Sequence, residues 1–235
     1  GVRQKPIMAM IAEKLQRVRD RISQACSRFG RSPDSVTLLA VSKTFPGVTV
    51  REAFAAGQRR FGENYVQEGL AKIAELADLR DQIEWHLIGP LQSNKTRAVA
   101  EAFDWVHTID RLKIAQRLNE QRPAHLPPLQ VCIQVNTSGE DSKSGVPPEE
   151  ALALARAVQA LPRLCLRGVM ALPAPSDDPQ VQSEQLARVR AVFDHLKTEG
   201  LPLDTLSMGM SQDLEEAIAH GSTLLRVGTA LFGGR

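Results

Sequence analysis

Three short stretches of this sequence carry residue types that could do chemistry. LLAVSK, at 38–43, is a run suited to a buried strand that ends on an amine, Lys43. Among apolar neighbours an ammonium is disfavoured, and only the neutral amine attacks a carbonyl, so such a lysine suits a Schiff base. For Lys43 alone, a solvated residue that merely marks the strand end is the plainer alternative. LSMGMSQDLEEAI, at 206–218, sets Ser207, Met210 and Ser211 ahead of a helix pattern; by default the Ser211 hydroxyl caps that helix. RVGTALFG, at 226–233, puts Gly228 and Thr229 at the start of a possible short helix. Free backbone N–H groups at helix starts favour an anion, and glycine lets the backbone approach it closely. Arg226 lies between Leu225 and Val227 in an apolar run, an unnatural setting for a surface ion pair.

These residues need elements to position them, and the chain supplies a repeated unit. After a helical opening over 10–29, with Ile11, Leu15, Val18 and Ile22 at helical spacing, short apolar runs alternate with longer amphipathic stretches. The strand signals fall at 36–42, 59–63, 83–88, 104–109, 129–135, 166–172, 204–209 and 223–228. Those at 59–63 and 204–209 are weak in periodicity. Gly57, Gly200 and Gly221 stand where helices should stop. Eight strands with intervening helices predict an α/β protein built on a parallel sheet, and 235 residues suit a single (β/α)8 TIM barrel preceded by an extra helix. An open doubly wound sheet is the alternative, but no GxGxxG follows the first strand. No linker or composition shift marks a second domain, so one barrel domain over 8–235 is expected, with 1–7 partly disordered or an expression remnant.

A barrel of this kind builds its site at the C-terminal strand ends. The polar residues fall there: Lys43 after strand 1, Glu63 and Asn64 after strand 2, and His86 near the end of strand 3. Asn136 follows strand 5, Ser207 to Ser211 close strand 7, and Arg226 to Thr229 close strand 8. The loops after strands 7 and 8 often hold a phosphate. A phosphate site opposite a reactive lysine suggests a phosphorylated aldehyde or ketone. Pyridoxal 5′-phosphate (PLP) is one; a sugar phosphate in a lysine-dependent aldolase is another. An arginine beside a pyridine nitrogen would stay protonated and leave the ring a poor electron sink, restricting carbanion chemistry.

Composition excludes other classes. Hydrophobic residues at 43% and charged residues at 24% match an ordinary globular chain. A net charge of +2 gives no reason to propose nucleic acid or a membrane surface as partner. Cys26, Cys132 and Cys165 show no paired spacing; the last two sit in apolar runs and are expected to be buried, and a reducing cytoplasm fits them. No signal-peptide core or membrane span is recognisable.

The stretches LLAVSKTFP, RRFGENYVQE, WHLIGPLQSNK, QVNTSGEDSKSG, GVMAL, LSMGMSQDLEEAI and RVGTALFG together closely resemble the YggS/PROSC family of PLP homeostasis proteins. They run from strand 1 to the C-terminus. The resemblance implies a barrel similar to that of fold-type III PLP enzymes, the N-terminal domain of alanine racemase. It implies that Lys43 carries the PLP aldimine, that Arg226 faces the pyridine nitrogen, and that Ser211, Gly228 and Thr229 hold the phosphate. It sets Asn64 near the ring, with Met210 and Ser207 lining the site. His86 and Asn136 are strand-end candidates that compete with a reading as satisfied buried polar residues, and Lys143 is a second amine or a solvated loop charge. The racemase continues into a β-domain, whereas this chain is expected to end just beyond strand 8. Its second catalytic group is a tyrosine outside the matching stretches, and Tyr65, the one tyrosine here, does not match it. The expectation is therefore a cytoplasmic, monomeric PLP carrier for vitamin B6 homeostasis that delivers PLP to apo-enzymes, not a dedicated enzyme. An amino-acid racemase and a lysine aldolase are the alternatives.

Overall fold

The computed structural model describes residues 7–140 and 143–233. The chain opens with helix α1 (Ile7–Arg28) and then alternates: β1 (Thr37–Val41), α2 (Gly47–Ala55), β2 (Arg60–Glu63), α3 (Val66–Glu75), β3 (Glu84–Leu87), α4 (Thr96–Ala102), β4 (Trp105–Ile109), α5 (Leu112–Gln121), β5 (Leu129–Gln134), α6 (Ala151–Gln159), β6 (Leu164–Met170), α7 (Pro179–Thr198), β7 (Thr205–Ser207), α8 (Leu214–Ala219), β8 (Leu224–Val227) and α9 (Thr229–Phe232). The strands are parallel and close in sequence order into a barrel, β1 pairing with β8. Both weak strand signals form: β2 pairs with β1 and β3, and the three-residue β7 is held between β6 and β8. The first helix begins at Ile7, inside the stretch expected to be a remnant; residues 1–6, also assigned to it, lie outside the described residues.

Alternation along the strands sorts side chains between two cores. One face of each strand packs against the helices: Leu38, Ala40, Phe61, Trp85, Leu87, Val106, Val131 and Ile133 belong to, or lie against, the large apolar cluster between barrel and helix ring. The other face fills the barrel, and there the apolar content is small: Leu39, Val41, Ile88 and Leu224 in one group, Trp105, Cys132 and Met170 in another. Barrel interiors are ordinarily packed with branched aliphatic side chains. This one instead carries buried His86, His107, Ser207 and Arg226.

Helix α1 lays Ile11, Leu15, Val18, Ile22 and Ala25, spaced three and four apart, on the large cluster. Its Arg21 donates to both carboxylate oxygens of Glu215 and to the Ser211 carbonyl, tying the helix to the loop after β7. Cys132 is buried as expected, but Cys165 is exposed. It is the second residue of β6, and strand alternation sends Leu164 and Leu166 into the core and Cys165 the other way. No helix among the described residues is long and apolar enough to cross a membrane.

Candidate functional site at the C-terminal mouth of the barrel

Lys43 lies two residues beyond the last residue of β1 and is exposed. The apolar strand suggested by LLAVSK is therefore not the environment of its amine; β1 ends at Val41, and Ser42 beyond it is still buried, its N–H donating to the Gly62 carbonyl at 3.0 Å. A buried polar group sits beneath this turn. The Ser42 hydroxyl donates to Glu63 Oε1 at 2.8 Å. Lys72 Nζ donates to the same oxygen at 2.7 Å, to Glu68 Oε1 at 2.9 Å and to the Ser42 carbonyl at 2.5 Å. The Thr44 N–H donates to Glu68 Oε1. Thr44 has φ of +66°, left-handed backbone that a β-branched residue rarely adopts. Two carboxylates and a lysine from β2 and α3 thus pin both residues that flank the exposed amine. Burial raises the pKa of the Glu63 carboxyl, against the hydrogen bond and charge of Lys72.

On the opposite side of the mouth, the loop after β7 and the turn after β8 meet. The Ala230 N–H, in the first turn of α9, donates to Ser211 Oγ at 3.3 Å. Ser211 does not cap α8; that helix starts at Leu214 behind Asp213, whose carboxylate accepts from the Met210 N–H at 2.7 Å. The Ser211 hydroxyl is drawn instead to the backbone beside Gly228 and Thr229. Met210 is exposed on the rim. Phe45, two residues after Lys43, packs its ring on Phe232 of α9 at 5.4 Å between centroids, so the lysine loop and the Gly228–Thr229 turn adjoin. A Cβ at Gly228 would touch the Val41 side chain and carbonyl at 3.4 Å, which leaves the turn close against the end of β1.

Between these two sides, Arg226 rises from β8 inside the barrel, nearly fully buried. It donates from Nη1 to Ser207 Oγ at 2.7 Å and from Nη2 to the Ala171 carbonyl at 2.9 Å. Burial lowers its pKa to about 10, so it remains a cation at neutral pH. Ser207 therefore works on Arg226 rather than standing on the rim. Its hydroxyl also meets His107 Nδ1 at 2.9 Å.

The rest of the mouth, at the ends of β2 to β6, encloses a cavity of about 500 Å³ whose walls include Asn64, Gly89, Thr108, Asn136 and Lys143. Asn64 Oδ1 is buried there and has no partner among the described residues. Gly89 permits its position: a Cβ there would fall 1.8 Å from the Asn64 carbonyl oxygen. Asn136 is engaged with its own loop, its Oδ1 accepting from the Ser138 N–H and hydroxyl and its Nδ2 donating to the Glu140 carbonyl. Lys143 is exposed, 4.0 Å from the Glu140 carboxylate. His86 is not a mouth residue. It is fully buried, stacks on Trp105 at 4.9 Å, and bonds to Glu84 at the start of its own strand.

Of the eight residues singled out, Lys43, Asn64, Met210, Ser211 and Gly228 lie on loops at one mouth, with Thr229 at the start of α9 beside them, and Arg226 with Ser207 lies just inside it. Sequence reasoning missed His107, Lys72 and the pairing of Ser42 with Glu63. A signal for His107 existed: DWVHTI, like IEWHLI, sets a histidine two residues before the isoleucine that closes a barrel-strand signal. The arrangement offers a chemist an exposed amine, a buried guanidinium, a loop pair with backbone N–H groups and hydroxyls for an anion, and one orphaned amide oxygen.

The profile of the alanine racemase N-terminal domain matches residues 14–235. A pyridoxal phosphate homeostasis protein of Pseudomonas aeruginosa is 60% identical over 228 residues, covering 97% of both chains. Its counterpart in Escherichia coli is 59% identical over 226 residues, 96% of this chain and 97% of that one. Among solved structures, PipY of Synechococcus elongatus, described as having PLP bound, superimposes with a TM-score of 0.82 at 40% identity, over 95% of this chain and all (100%) of PipY. Alanine racemase from Corynebacterium glutamicum gives a TM-score of 0.72 at 19% identity, over 97% of this chain and 62% of the racemase, and shares the fold.

Proposed function

The chain belongs to the alanine racemase N-terminal domain family and, within it, to the pyridoxal phosphate homeostasis proteins, and on that premise we propose that it binds PLP and serves to keep it available inside the cell. The observation that carries this reading is the gathering of Lys43, Arg226, Ser211 and Thr229 at one mouth of a barrel that is 40% identical to a protein described with PLP bound. The residues fit such a ligand: Asn64 Oδ1 is an orphaned acceptor, and Arg226 commits only two of its N–H groups in the bonds described.

Each residue then has a role. The Lys43 amine holds the cofactor covalently and reversibly through its aldehyde. Its exposure makes that bond accessible to water and to a competing amine, which suits release. Ser211, Gly228 and Thr229 bind the phosphate, with hydroxyls and backbone N–H groups as donors. Arg226 faces the ring nitrogen and, being a cation at neutral pH, donates to it and leaves it unprotonated. Asn64 and Met210 lie beside the ring, and Ser207 acts through Arg226. PLP supplies, when bound, an electrophilic aldehyde and a ring able to withdraw electrons. This site limits the second property, because an unprotonated ring nitrogen is a weak sink. A racemase also needs a proton donor on the second face of the substrate carbon, and Tyr65, the one tyrosine of the chain, is exposed at the start of α3. The site is therefore built to hold PLP and pass it on to apo-enzymes rather than to turn over amino acids. In this reading the protein is a cytoplasmic monomer, and light scattering on the purified chain checks the oligomeric state.

Absorbance spectroscopy of the purified protein titrated with PLP tests the proposal. The wild type is expected to develop the band of lysine-bound cofactor, and Lys43→Ala to lose it. No uptake by the wild type overturns PLP binding. Rapid stereoinversion of any amino acid in a panel overturns the carrier role and restores the racemase.

A further inference from the structure

The barrel interior contains a line of side chains of which the PLP reading uses only the first two, Arg226 and Ser207. Arg226 Nη1 lies 2.7 Å from Ser207 Oγ, which lies 2.9 Å from His107 Nδ1. His107 Nε2 lies 2.8 Å from His86 Nδ1, and His86 Nε2 lies 2.7 Å from Glu84 Oε1. These five residues come from β8, β7, β4 and β3, so the line crosses the barrel. It also descends from the C-terminal mouth to the first residue of β3. There Glu84 opens onto a polar cavity of about 340 Å³ at the N-terminal mouth, shared with Arg60, Gln130 and Arg167.

With both imidazoles neutral and Glu84 ionised, hydrogen-bond chemistry permits one direction along this line. A guanidinium has only donors, so Ser207 Oγ must accept from Arg226. The serine proton then goes to His107 Nδ1, which must be bare. A neutral His107 carries its proton on Nε2 and donates it to His86 Nδ1. His86 likewise carries its proton on Nε2 and donates it to the Glu84 carboxylate. Every bond runs from the cation toward the anion, and no member of the chain is left without a partner. Burial disfavours the charged form of both rings, in keeping with two neutral imidazoles. The His86 ring is further fixed by stacking on Trp105, at 14° between planes, and Arg167 covers that indole with its guanidinium 4.9 Å from the ring centroid.

We propose that His107 and His86 are positioning residues: with Ser207 and Glu84 they form a one-way hydrogen-bonded relay that holds Arg226 toward the cofactor and ties it to a carboxylate at the opposite mouth. The proposal rests on the PLP reading for its consequence, but its geometry is that of this chain's own side chains. It assigns a purpose to an interior that a barrel of ordinary construction would fill with aliphatic side chains. Buried polar groups in a fully satisfied line define one geometry, because breaking any link strands a donor or acceptor away from water.

Two measurements test it. Long-range proton–nitrogen correlation spectra of the cofactor-free protein at neutral pH report the imidazole tautomers directly. Both His86 and His107 are expected as neutral rings protonated on Nε2; an Nδ1-protonated or cationic ring at either position overturns the relay. The second measurement is the rate of PLP release, followed by the bound-cofactor absorbance with an excess of a competing amine. Glu84→Ala, at a half-exposed position on the far mouth, and His107→Asn, which can still accept from Ser207 but cannot reach His86, are each expected to hasten release by about five- to ten-fold, the scale of one lost net hydrogen bond. Glu84→Gln, which retains an acceptor for His86, is expected to restore most of the wild-type rate. Unchanged release in Glu84→Ala and His107→Asn, with uptake still abolished in Lys43→Ala, overturns the relay and leaves PLP binding standing. Absence of uptake by the wild type, seen before any variant is made, overturns the underlying reading instead.

Discussion

At the scale of single residues, Lys43 and Lys72 divide between them the work that LLAVSK alone seemed to assign to one lysine. Lys43 is exposed and free to react, while Lys72, at 4% exposure, is the buried amine that neutralises Glu63. Removing one partner of a buried ion pair strands the other, so Lys72→Met is expected to cost about 3–5 kcal/mol in urea unfolding. Adding Glu63→Gln to it should recover most of that loss, because a neutral amide needs no counter-charge. In the loop after β7, the Ser211 hydroxyl is turned toward α9 and not toward α8. Ser211→Ala combined with Thr229→Val should weaken PLP affinity on the order of ten-fold or more by equilibrium dialysis, since hydrogen bonds to charged groups are worth about 1.5–3 kcal/mol. Unchanged affinity would remove both hydroxyls from the site.

At the scale of elements, the site depends on strands that are barely long enough to exist. β7 has three residues, yet it carries Ser207 and launches the loop of Met210 and Ser211. Its place is set by Gly168 of β6, where a Cβ would fall 1.6 Å from the Thr205 carbonyl oxygen. The clash is with backbone, which cannot step aside without parting β6 from β7. Gly168→Ala is therefore expected to cost more than about 3 kcal/mol, beyond the range of overpacking that side chains absorb, with a lowered melting temperature as the measurement. Helix α1 has a similar positional role. It covers the barrel with an apolar stripe and, through Arg21, grips Glu215 and the Ser211 carbonyl, so an element outside the eight repeats braces the loop after β7.

At the scale of the whole molecule, the polar interior makes stability depend on pH. The pKa values of both His86 and His107 lie below the ordinary histidine value of 6.5, chiefly because burial penalises the cation. His86 faces Glu84 and Asp104, which favour its charge, and Arg60, which opposes it; His107 faces His86 and Arg226, which both oppose its charge. Between the folded-state values and the ordinary one, the unfolded chain binds more protons than the native chain. Stability is thus fully present above the ordinary value and is lost as pH falls through and below it. Moving from pH 7.5 to about pH 5.5 should lower the unfolding free energy read from urea midpoints, by at most about 1.4 kcal/mol per histidine and pH unit, with the raised pKa of Glu63 acting in the opposite sense. His107→Asn should flatten that slope; an unaltered slope would mean that His107 does not contribute to it.

The order of eight strands, the helices between them and the loops that bear Lys43, Asn64, Ser211 and Thr229 were all legible in the sequence. They rest on local signals: a period of two or of 3.6 residues, and polar residues where an apolar run stops. Such signals say which way a side chain points but not what it meets. Contacts across the closed barrel were settled only in three dimensions, as with His107 and Ser207, which touch although 100 positions apart. For the same reason Ser207 read only as a residue lining the site, His86 as a strand-end candidate, and Lys43 as an amine in apolar surroundings. Barrel closure decides which inward-facing residues share a layer, and it turned an apparently scattered set of histidines, a serine and an arginine into one continuous line of hydrogen bonds.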